Sequence, residues 1–145
     1  MKKIVISIMA FMLLCIPAYT QQSIQESFKS SLCDAITKND TAIMMSITCM
    51  DKVNADWQKM MLASYSNLLP ILQKKGAPSI SFTAFTGPAP LPVKYQDKML
   101  VPNLPITTIC TVTFPGDPDK ADKTDFRLGE KDGKLLNTIL VPQQD

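Results

Sequence analysis

The chain has 145 residues, with 15 Lys and Arg against 13 Asp and Glu, four cysteines and no histidine. Without histidine there is no Ser-His-Asp triad, no Cys-His dyad and no His-ligated zinc or haem. A formal net charge of +2 is far from the basic surface of a nucleic-acid binder, so no nucleic-acid partner is expected.

Residues 1–20 read as a secretory signal peptide. Lys2 and Lys3 form a positive start, residues 4–16 are apolar apart from Ser7, and Ala18 and Thr20 are small residues before a cut after Thr20. The run is shorter than the roughly 20 apolar residues a membrane span needs, so no stable span is expected. The expected location is therefore periplasmic or secreted. Cys15 raises the alternative of a lipid anchor, although Leu14 stands where a bacterial lipobox has a small residue. Loss of Lys2 and Lys3 leaves 13 basic residues against 13 acidic ones. The exported chain, residues 21–145, is then neutral and is expected to form one α+β domain.

The first half carries helical periodicity. Ser23 and Glu26 stand as S-x-x-E, a capping box, and Ile24, Phe28, Leu32 and Ile36 recur every four residues. Asn39 and Asp40 end this helix, and Asp40 is placed to cap the next. Residues 41–49 carry little polar surface, so a short helix there should be buried. Asn54 is placed to cap a third helix, with Trp57, Met60, Met61, Leu68 and Leu72 as its apolar face. Pro70 lacks an N–H and should kink or stop it.

The second half alternates as strands do. Residues 79–84 form one strand, and residues 87–92, with three prolines, form a loop. Residues 93–101 suggest a small hairpin about Gln96 and Asp97. Residues 106–114 make a long strand, with Cys110, Val112 and Phe114 on one face and Thr107, Thr111 and Thr113 on the other. Asp132-Gly133 between residues 124–129 and 135–141 signals a closing hairpin.

Cofactors and metals are not expected. Asp117, Asp119, Asp122 and Asp125 miss the EF-hand spacing, and Lys120 and Lys123 interrupt them. Three cysteines remain after export, and no C-x-x-C pair exists among them. Cys33 and Cys49, on neighbouring helices, are the favoured disulfide in an oxidising compartment, the alternative being three small core residues.

Three helices followed by four or more antiparallel strands make an α+β arrangement. With the long first helix at residues 23–38, the Ala-Ile-x-Lys-Asn-Asp step at 35–40 and the closing Lys-Asp-Gly-Lys hairpin at 131–134, the order resembles the nuclear transport factor 2-like (NTF2-like, cystatin-like) superfamily. The resemblance implies helices packed on a curved antiparallel sheet as a cone. A pocket would then be lined by Trp57, Met61, Tyr65, Phe82 and Phe114, unless the same side chains simply fill the core. The superfamily hosts enzymes and binding scaffolds alike, so fold leaves function open.

The expected function is non-catalytic binding of a small apolar ligand or a protein partner. An isomerase- or dehydratase-like enzyme is the first alternative, with Asp34 as base and Tyr65 as hydrogen-bond donor. A homodimer formed through the threonine-rich sheet face is the second.

Overall fold

A computed structural model describes residues 2–116 and 122–143. Among the described residues three helices, α1 (Lys2–Lys38), α2 (Thr41–Ser46) and α3 (Ala55–Lys74), precede seven strands. These are β1 (Ser79–Ala84), β2 (Val93–Tyr95), β3 (Lys98–Pro102), β4 (Thr108–Thr113), β5 (Lys123–Lys131), β6 (Lys134–Asn137) and β7 (Leu140–Pro142). The protein is thus α+β, helices first.

Helix α1 buries the expected stripe. Phe28, Leu32, Ala35 and Ile36 all lie in the core, and Leu32 is fully enclosed. Its start differs from expectation: α1 begins at Lys2, so Ser23 and Glu26 lie within the helix rather than at its end. Glu26 pairs instead with Lys29, one turn on. Nothing in residues 4–22 forces a break before Ser23, since the only proline there, Pro17, is accommodated within the helix.

Asp40 caps α2 as expected, its Oδ1 accepting from the amides of Ala42 at 2.8 Å and Ile43 at 3.1 Å. The second helix is shorter than residues 41–49. The Ser46 hydroxyl donates to the Ile43 carbonyl and that of Thr48 to the Met44 carbonyl, closing the last turn. Thr48 then enters a parallel bridge with Asn137.

Asn54 caps α3 by accepting from the Trp57 amide at 2.9 Å. Pro70 does not stop this helix, which continues to Lys74. The carbonyl deprived of its partner belongs to Ser66, on the exposed face, where water can satisfy it. The buried face is Met61, Tyr65, Leu69 and Leu72. Met60, expected on the apolar face, is exposed.

The strands divide into two antiparallel sheets, of order β1-β4-β5-β6 and β2-β3-β7, and neither closes on itself. Phe82, Cys110 and Phe126 lie side by side across β1, β4 and β5. Phe28 of α1 meets Phe82 edge-on, the ring centroids 6.4 Å apart. The core lies between the helices and this sheet face, where Cys110, Val112, Phe114, Phe126, Leu128 and Leu135 are buried.

The closing turn is as expected. Asp132 and Gly133 have φ of 51° and 70°, the left-handed pair a two-residue hairpin favours. Beyond it, residues 135–141 are not one strand. They split at Thr138 and Ile139 into β6 of the larger sheet and β7 of the smaller. Asn103 holds that break: its backbone amide donates to the Ile139 carbonyl at 2.9 Å, and its Oδ1 accepts from the Ile139 amide at 3.1 Å.

Candidate functional site

Helix α1, the end of α2 and the β5–β6 hairpin enclose an open cleft of about 470 Å³. The helical period brings Ser23, Ser27 and Ser31 to one edge of α1, four residues apart, and Ser46 joins them from α2. Ile24 and Phe28 of α1, Ile47 after α2, and Leu135 of β6 supply apolar surface below the hydroxyls. Lys134 contributes the cation, and among the described residues no carboxylate lines the cleft. The two-residue turn of the hairpin matters here, because Gly133 leaves the rim without a side chain.

A second cleft, about 460 Å³, lies between the proline-rich loop and the turn after β3, with Lys52, Phe85, Pro90, Asn103 and Pro105 on its walls. Its one buried polar side chain is already committed. Asn103 Nδ2 donates to the carbonyls of Cys49 at 2.7 Å and Asp51 at 3.1 Å.

The five residues expected to line a pocket come together, but in the packed interior. Met61, Tyr65 and Phe114 belong to the buried core, and Trp57 and Phe82 pack against it. None of the five lines either cleft. Trp57 spends its indole N–H on the Leu140 carbonyl at 2.8 Å, tying α3 to β7. The Tyr65 hydroxyl lies 3.0 Å from the Thr48 hydroxyl and accepts from Asn137 Nδ2 at 3.0 Å. Burial pushes the Tyr65 hydroxyl above its usual pKa, while the bonds to Thr48 and Asn137 oppose that shift.

Asp34 and Tyr65 are not brought together as base and donor. Asp34 is exposed and pairs with Lys38 at 3.1 Å, an i,i+4 contact on the solvent side of α1. Asp51, in the α2–α3 connection, receives Lys131 at 2.6 Å from the end of β5. That hydrogen bond raises the Lys131 pKa.

Cys33, Cys49 and Cys110 are all free, so the expected Cys33–Cys49 bridge is not formed. Burial pushes the Cys110 thiol up to about 12 and raises that of Cys33 as well. Neither is an activated nucleophile, which requires a depressed pKa. Among the described residues no cluster of three His, Cys, Asp or Glu side chains could hold a metal ion. Asp117, Asp119 and Lys120 of the acidic loop lie outside the described residues.

Sequence reasoning missed the serine edge of α1 and the two buried asparagines, Asn103 and Asn137. The serines were legible, since 23, 27 and 31 keep the helical spacing of the apolar stripe beside them. The asparagines left no local signal, because their partners lie 36 to 72 positions away.

The geometry defines a class: an α+β domain with a packed helix–sheet core and an open, hydroxyl-edged cleft beside its leading helix. Compared with known protein families, curated proteins and solved structures, the chain matches none. Among the described residues no helix is long and apolar enough to cross a membrane.

Proposed function

We propose that the chain is an exported, non-catalytic binding domain of the NTF2-like kind. It takes a small ligand with an apolar body and an anionic or hydrogen-bond-accepting end in the cleft between α1 and the β5–β6 hairpin. One observation carries this reading: serine hydroxyls and Lys134 stand over an apolar floor, with no carboxylate among the lining residues. A volume of about 470 Å³ suits a small-molecule site, which is mostly apolar with a few polar groups that fix orientation. Hydroxyl donors beside a lone cation favour an acceptor over another cation.

The test is native mass spectrometry of the protein as purified, followed by titration with dodecanoate read by NMR. Added mass, or shifts at Ser27, Phe28 and Leu135 that disappear in Ser27→Phe, is the expected result. A ligand-free protein whose spectrum ignores dodecanoate overturns the reading.

A further inference from the structure

The cleft beside α1 follows the edge of a strand rather than one face of the sheet. Residues 133–136 all line it, although successive side chains in a strand point to opposite faces. Strand β6 is the last of its sheet. Among the described residues its outer edge is paired at one place, the parallel bridge between Thr48 and Asn137. There the Asn137 amide donates to the Ile47 carbonyl at 2.7 Å, and the Asn137 carbonyl accepts from the Cys49 amide at 2.9 Å.

The direction of hydrogen bonding alternates along a strand. The Thr138 amide points the other way, to the Arg127 carbonyl of β5 at 2.7 Å. Leu135, two residues before Asn137, therefore turns its N–H and C=O to the same outer edge as Asn137. Among the described residues nothing continues the ladder there, because the chain before Ile47 is still helix, α2 ending at Ser46. The Leu135 side chain lies in the core, so what this residue offers the cleft is an unpaired backbone donor and acceptor. Enclosed groups of that kind require partners.

We propose that the cleft takes the C-terminal end of an extended apolar peptide, which adds to β6 as a short antiparallel strand. The proposal rests on the reading of this cleft as a ligand site and names the ligand. One peptide residue exchanges both hydrogen bonds with Leu135, as an antiparallel pair does. Lys134 begins β6, so a terminal carboxylate meets it only when the peptide runs antiparallel. Among the described residues Lys134 is in no ion pair. Ser23 and Ser31 stand eight positions apart, about 12 Å along the helix, which is the length of roughly three or four extended residues. A fatty acid covers the same apolar floor but has no N–H for the Leu135 carbonyl.

The experiment is titration of the protein with acetyl-Ala-Val-Leu, its carboxylate free, and separately with dodecanoate, read by amide hydrogen exchange in NMR. In the free protein the Leu135 amide should exchange at least about tenfold faster than that of Asn137, whose bond is already made. Saturating peptide should slow Leu135 about tenfold, whereas dodecanoate should shift Ser27 and Phe28 without that protection. An analogue with an ester oxygen in place of the valine N–H loses one donor and should bind about fivefold more weakly. Ser27→Phe, at an exposed position, should abolish the protection. A Leu135 amide as slow as that of Asn137 in the free protein overturns the proposal, since the edge is then not open. Binding of dodecanoate without binding of the peptide overturns it and leaves the cleft as a ligand site. Binding of neither overturns both.

Discussion

The Tyr65 hydroxyl accepts from Asn137 Nδ2 at 3.0 Å, joining the middle of α3 to the end of β6 inside the core. The same oxygen lies 3.0 Å from the Thr48 hydroxyl, so one phenol links α3, the strand edge and the segment after α2. Tyr65→Phe leaves buried Asn137 without its side-chain partner and should cost about 1–3 kcal/mol, the penalty for an orphaned buried polar group. Urea denaturation measures it directly.

The same residue carries a pH signature. Burial raises the Tyr65 pKa in the folded state above its ordinary value of 10.0. Above that pH the unfolded chain loses the phenol proton first, so the folded state binds more protons and stability falls as pH rises. Cys110 acts likewise from pH 9.0, the ordinary thiol value, toward about 12. Tyr65→Phe and Cys110→Ala should each flatten the alkaline fall in denaturation midpoint between pH 9 and 11, whatever they do to stability at pH 7.

Asn103 joins three chain segments, bonding the carbonyls of Cys49 and Asp51 and the amide of Ile139. Asn103→Ala removes all of these at once and should cost about 2 kcal/mol or more, because the stranded partners are partly buried. Asn103→Asp is also unfavourable, since a carboxylate cannot donate to the two carbonyls. Thermal unfolding of both variants tests the assignment, and a shift of Tm within error for each contradicts it.

Gly129 lies on β5 directly beneath Leu104 and Pro105. A Cβ there would come within 2.6 Å of the Leu104 side chain and meet the Pro105 carbonyl oxygen as well. Gly129→Ala must therefore push the connection before β4 off the sheet, at about 1–3 kcal/mol, the usual cost of overpacking. Gly133→Ala meets no neighbour, and its cost arises only from the positive φ of 70°. Comparing the two in denaturant separates crowding from backbone strain.

Thiol chemistry follows from burial. In the native protein Cys33, half-buried on α1, should react with a maleimide before Cys49 and Cys110, which are enclosed. Its raised pKa keeps even that reaction slow at neutral pH. In denaturant without reductant the protein should show one reactive thiol for each of the three residues. A count short by two reveals a disulfide.

Much of the helical half was legible because its signals are local. The four-residue recurrence of Ile24, Phe28, Leu32 and Ile36 needs only the pitch of a helix to become a buried stripe. Asp40 and Asn54 cap the amides two or three residues ahead, and Asp132-Gly133 sets its own turn. The alternation from Thr108 to Phe114 likewise needs only the pleat of a strand. The polar face of α3 was harder, because Met60 and Met61 are equally apolar and only packing chose the second.

By itself, then, the sequence determined the order of helices before strands, the caps of α2 and α3, the turns and which side of α1 and β4 faces inward. Each rests on interactions within a few residues. The tertiary structure alone decided that residues 135–141 divide between two sheets and that Trp57, Met61, Tyr65, Phe82 and Phe114 fill a core. It also decided that a cleft opens beside the serine edge of α1. Those outcomes depend on contacts such as Asn103 with Ile139 and Tyr65 with Asn137. Their partners are remote in sequence and meet only when the chain is packed, so no periodicity records them.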